Sequence, residues 1–66
     1  MNVVEDITIR RLTIDYSRYK YSLDDVYEKL TKMFPNGHQR VIRTGPKQID
    51  GGKTDDILNR VVIEIT

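Results

Sequence analysis

The chain has no cysteine, a single histidine and two prolines among its 66 residues. Without cysteine there is no disulfide and no cysteine-ligated zinc site, which fits a reducing compartment without proving one. No apolar run approaches the roughly 18 to 20 residues that a membrane-spanning helix needs. Met1 to Asp6 shows no basic stretch leading into an apolar core, so it does not read as a secretory leader, and a cytoplasmic location is expected. Charge of one sign is missing too. Eleven basic and ten acidic residues leave a formal net charge of +1. The chain as a whole is therefore not pulled towards nucleic acid or an anionic membrane. Recognition of either would require the charges to be segregated by face.

Residues 1–66 have room for one domain and one small core. Only 38% of the residues are hydrophobic while 32% are charged. Ordering a residue costs about 1.5 kcal/mol and burial returns roughly 25 cal/mol per Å², so these terms nearly cancel in a chain this short. Modest stability, or support from a partner or a second copy, follows.

One stretch organises the rest. From Ser22 to Phe34, residues Leu23, Val26, Tyr27, Leu30, Met33 and Phe34 recur at three- and four-residue spacing, which places them on one side of a helix. Ser22 is a good N-cap, and Asp24 and Asp25 complement the positive end of the helix dipole. Pro35-Asn36-Gly37 ends it, because proline cannot continue a helix and Asn-Gly accepts positive φ.

The remaining segments read as strands. Val3 to Asp15 alternates with a change of parity, Ile7 and Ile9 on one side and Leu12, Ile14 and Tyr16 on the other. A bulge at Arg10-Arg11 would unite both sets on one face. Two shorter strands are the alternative, against which Arg10-Arg11 offers no glycine, asparagine or proline for a turn. Arg40 to Thr44 is a short strand, and Gly45-Pro46 suits an edge. Asp50-Gly51-Gly52 is a turn between Lys47 and Lys53. Ile57 to Thr66 carries Ile57, Val61, Ile63 and Ile65 on one parity. Thr54-Asp55-Asp56 is also a fair helix start, with Leu58, Val61, Val62 and Ile65 at helical spacing, but the β-branched run from Val61 favours a strand. The expected architecture is a small single α+β domain, β-α-β-β, its three-stranded mixed sheet covered on one face by one helix. A parallel crossover joins the first two strands, and the last returns antiparallel between them.

Catalytic chemistry finds little support. His38 sits in a turn and reads as solvated, and nothing pairs a nucleophile with a base. Gly51-Gly52-Lys53-Thr54 resembles the end of a phosphate loop, but Lys47 stands where its first glycine belongs. Asp50, Asp55 and Asp56 miss the spacing of a calcium loop. No enzyme, cofactor or metal is expected, and no stretch carries a family's motif.

The positive signal is basic residues interleaved with aromatics. Arg10, Arg11, Arg18, Tyr19, Tyr21, Arg43 and Arg60 are the candidate contact residues, with Lys20 and Arg40 nearby. Tyrosine and arginine dominate the energetics of protein interfaces, and an uncovered sheet face bearing Leu58 and Val62 would present them. The favoured function is a small regulatory or inhibitory protein docking on a larger protein or nucleoprotein, with a homodimer as one form of self-association. Direct nucleic-acid binding is the alternative, arginines meeting phosphates and tyrosines stacking on bases.

Overall fold

The computed structural model describes all 66 residues. Its helix α1 (Leu23–Met33) forms where the apolar spacing places it. The Ser22 hydroxyl accepts the Asp25 N–H at 3.3 Å, and the Asp25 carboxylate accepts the Ser22 N–H at 2.8 Å, so a capping box closes the first turn. At the other end the Phe34 N–H donates to the Leu30 carbonyl at 2.8 Å before proline stops the helix.

Around it lie β1 (Asn2–Asp6), β2 (Arg11–Ser17), β3 (Gln39–Ile49) and β4 (Lys53–Ile65). The expected three-stranded mixed sheet is overturned. The sheet has four strands in the order β1-β2-β4-β3, every neighbouring pair is antiparallel, and the elements run β-β-α-β-β. The helix does join two parallel strands, β2 and β3, and β4 lies between them.

The extra strand arises where the sequence suggests one bulged strand. Instead of continuing, the chain reverses between Asp6 and Arg11, which pair across the hairpin. The Asp6 carboxylate accepts the Thr8 N–H at 3.1 Å, and Arg10 takes a left-handed φ of 51°. A side-chain-bearing residue adopts that conformation at a cost of about 1 to 2 kcal/mol, here offset by the hairpin it closes. Ile7 and Ile9, read as strand residues, are 79% and 50% exposed in this turn.

The other boundaries also shift. β3 runs through Gly45-Pro46 to Ile49, as an edge strand with irregularities at Ile42 and Lys47. β4 begins at Lys53, after a tip where Gly51 and Gly52 take φ of 81° and 76°. Between Thr54 and Asn59 it bulges, and the Asp55 carboxylate holds the bulge by accepting the Ile57 and Leu58 N–H groups, each at 2.7 Å.

Burial follows strand alternation. Leu12, Ile14 and Tyr16 on β2 and Val61 and Ile63 on β4 meet Val26 and Leu30 of the helix, with Val3, Leu23, Tyr27, Phe34 and Ile65 packed around them. Met33, expected on the apolar stripe, is 43% exposed. The opposite parity gives the helix-free face three cross-strand rows: Arg11-Glu64-Arg40, Thr13-Val62-Arg43 and Asp15-Arg60-Gly45.

With eight of 66 residues buried, the core has no redundancy. Leu30→Ala should cost about 2 to 5 kcal/mol in urea denaturation, enough to unfold a chain of this size. Ile7→Ala, in the solvated turn, should stay within about 0.5 kcal/mol. A core-sized loss at Ile7 would restore the single bulged strand.

Candidate functional site

The helix-free face is built around Asp15 on β2. Its parity turns it away from the helix, yet it is only 8% exposed because two cations close over it. Arg60, its partner on β4, donates from Nε to Oδ1 at 2.8 Å and from Nη2 to Oδ2 at 3.0 Å. Lys47 Nζ reaches Oδ2 from the edge strand at 3.3 Å. The irregularity between Pro46 and Gln48 accompanies that reach. The Arg60 hydrogen bonds lower the Asp15 pKa, with Lys47 helping and burial opposing. The same contact raises the Arg60 pKa further above its ordinary value. A bidentate pair of this kind fixes the guanidinium plane as well as its charge.

Beside this cluster, β3 crosses a groove of about 330 Å³ lined by Arg43, Thr44, Gly45, Pro46, Gln48, Arg60 and Val62. Gly45 leaves it open, since a Cβ there would have no heavy atom within 4 Å. Arg11, Arg40 and Arg43 form no ion pair; the only ones are Lys32 with Glu28, and Lys47 and Arg60 with Asp15. Charge is graded across the sheet. Residues 39–49 of β3 contribute Arg40, Arg43 and Lys47 and no acid, whereas β1 carries Glu5 and Asp6 and no cation.

Of the seven contact residues expected from the sequence, Arg11, Arg43 and Arg60 share this face. Arg10 ends the β1–β2 turn, at a second hollow of about 280 Å³ formed with Glu5, Leu12, Phe34 and Ile65. Arg18 is occupied elsewhere: its Nη2 donates to the Asp55 carbonyl at 2.6 Å and the Leu58 carbonyl at 3.2 Å, and its backbone N–H to Ile57. Tyr19 is 77% exposed and its hydroxyl donates to the Asp56 carbonyl at 3.3 Å, so the two side chains clasp the β4 bulge. Tyr21 lies just before the helix cap, 37% exposed. The arginines and tyrosines therefore do not form one patch. Lys47, Gly45 and Asp15 were not singled out as contact residues. The i, i+2 spacing of Arg11, Thr13 and Asp15 places Asp15 on this face, but the bulge that brings in Lys47 has no sequence signature.

The arrangement suits anion recognition by one fixed guanidinium, that of Arg60, with unpaired arginines beside it. No cluster of three or more histidine, cysteine, aspartate or glutamate side chains forms. The main chain of His38 pairs with Thr66 at the end of the sheet. No helix is long and apolar enough to cross a membrane. Compared with protein-family models, with curated proteins and with solved structures, the chain gives no match.

Two substitutions check this geometry. Because folding lowers the Asp15 pKa below its ordinary 3.8, the stabilisation is complete above that value and is lost as pH falls through the lowered one. Asp15→Asn should therefore cost about 1 to 2 kcal/mol at neutral pH. Urea denaturation across acidic pH should show the variant and wild type converging in acid; a pH-independent gap would mean the cluster is not formed. Arg18→Gln should likewise destabilise by about 1 kcal/mol, because it frees two part-buried carbonyls. Amide exchange should speed up at Ile57 and Leu58, and unchanged exchange there would return Arg18 to the list of free contact residues.

Proposed function

We propose that the chain is a small, non-enzymatic regulatory or inhibitory protein that docks on a larger protein or nucleoprotein through its helix-free sheet face and the adjoining β3 edge. The observation that carries this reading is a face with no layer over it, on which Arg11 and Arg40 flank Glu64 without forming an ion pair and Arg43 has no acidic neighbour in its row. The accessible surface supports it. At 4920 Å² it exceeds the roughly 4,300 Å² of a compact monomer of this length. That excess is of the order of the roughly 800 Å² that each partner contributes to a standard interface.

Charge narrows the partner. Two copies joined symmetrically through β3 would bring Arg40, Arg43 and Lys47 of each strand together, which cross-strand repulsion opposes. An acidic protein surface meets the same strand favourably and gains orientation from bidentate arginine contacts.

Nucleic acid is the second reading, favoured by the same cations. Its stacking component lacks a platform, since Tyr16 faces the core, Tyr27 lies on the helix, and Tyr19 and Tyr21 lie in the connection after β2. Contact would then be confined to phosphates.

Charge reversal separates these outcomes. Arg40→Glu/Arg43→Glu should abolish the partners captured from lysate by wild type, while Lys20→Glu/Lys29→Glu, an equal charge change away from the face, should keep them. Equal capture by both variants would remove the face from the function. A shift of random duplex oligonucleotides whose affinity falls log-linearly with salt would favour the second reading.

A further inference from the structure

Resting on the docking reading, we propose that the groove along β3 is the anchor of the interface and takes a carboxylate side chain of the partner, held between Arg43 and Arg60 over Gly45. The Arg60 guanidinium cannot swing away, because Nε and Nη2 are bound to Asp15 at 2.8 and 3.0 Å. Its Nη1 makes no hydrogen bond within the protein and completes a preformed donor edge. Arg43, one row along and without a partner, supplies the second donor. An anchor whose guanidinium is already ordered loses less side-chain entropy on binding than a free surface arginine.

Arg43 and Gly45 share the helix-free face by plain alternation, and a bulge adds Arg40 to it. Val41 pairs with Ile63 and Arg43 with Val62, so Ile42 is the extra residue. In an unbroken strand Arg40 and Arg43, three apart, would point to opposite faces; the added residue brings both to the helix-free side. The absent side chain of Gly45 then lets a ligand approach the backbone where Arg43 and Arg60 flank it.

The lining favours a carboxylate over a phosphate. Of the two cations that line the groove, Arg60 is already paired with Asp15, so Arg43 is the one without a carboxylate partner. Val62 and Pro46 add apolar wall that suits the methylene stem of a glutamate. The ligand is thus an acidic side chain at the centre of a protein contact.

Gly45 supplies a test that leaves every charge in place. Its φ is not positive and a Cβ meets open space, so Gly45→Val should fold and be at least as stable as wild type. NMR titration with acetate against chloride at constant ionic strength should move the Gly45 amide and the Arg60 Nε–H. Gly45→Val and Arg43→Gln should each weaken that response at least about tenfold, and Arg11→Gln should leave it unchanged. Acetate shifts spread evenly over Arg11 and Arg40, or a wild-type response in Gly45→Val, would overturn the groove as a site. Inorganic phosphate binding more than about tenfold tighter than acetate would overturn the choice of a carboxylate. If Gly45→Val loses acetate but keeps the partners that Arg40→Glu/Arg43→Glu loses, the docking face stands and this anchor falls. If acetate binds as expected but charge reversal leaves capture unchanged, the docking reading falls instead.

Discussion

The alternation of β4 is the constraint on which the molecule depends. This strand is paired on both sides, and its pleat sends Val61 and Ile63 to the helix and Arg60, Val62 and Glu64 to the other face. A slip of one residue would expose the two fully buried side chains and press Arg60 and Glu64 against Val26 and Leu30. Burying an unpaired charge costs more than the whole domain has to give. The same hydrophobic contacts that hold the helix therefore fix which charged groups face outward.

That coupling explains why a small core can support an ordered polar surface. Asp15, Arg60 and Lys47 come from three strands, and their meeting requires the register of β2, β4 and β3 to be set together. Its net contribution to stability is modest, as for any partly exposed ion pair. What it adds is geometry, because a bidentate arginine has one orientation where a free one has many. Stability is supplied on the helix side and orientation on the open side.

The sequence made the helix side legible because its signals are local and redundant. Ser22 is an N-cap by type and position, the apolar residues from Leu23 to Phe34 share a period, and the β-branched residues of β4 decide strand over helix. Gly51-Gly52 marks its turn because both residues take positive φ, where other side chains are strained. The β1–β2 hairpin escaped for the complementary reason. Its left-handed residue is Arg10, its turn holds Ile7 and Ile9, and its one signal is the Asp6 carboxylate capping Thr8. A parity change in an apolar pattern reads equally as a bulge or as a turn, and long-range pairing decides between them. The candidate face was legible in part: Arg11, Arg43 and Arg60 came together. Arg18 resembled a free cation in sequence, and only the carbonyls of Asp55 and Leu58 across the fold show that it is a clasp.

The exposed edge completes the account of how such a surface would bind. An eleven-residue strand with one open edge invites addition of another strand, by a copy of the chain or by any extended segment. β3 interrupts that template in three places, with an extra residue at Ile42, the missing N–H of Pro46 and a second irregularity at Lys47. Its positive charge opposes self-pairing, while β1 with Glu5 and Asp6 is complementary to it. A β1-to-β3 contact between copies is head to tail and does not close unless its rotation does, so open chains are its natural product. The bulges that break the ladder guard against that growth, and the one at Ile42 also gathers Arg40 and Arg43 on one face. One backbone irregularity thus weakens the edge as a pairing template and strengthens it as a presenter of side chains. Recognition through arginine side chains, rather than through added main-chain hydrogen bonds, is the outcome both effects favour.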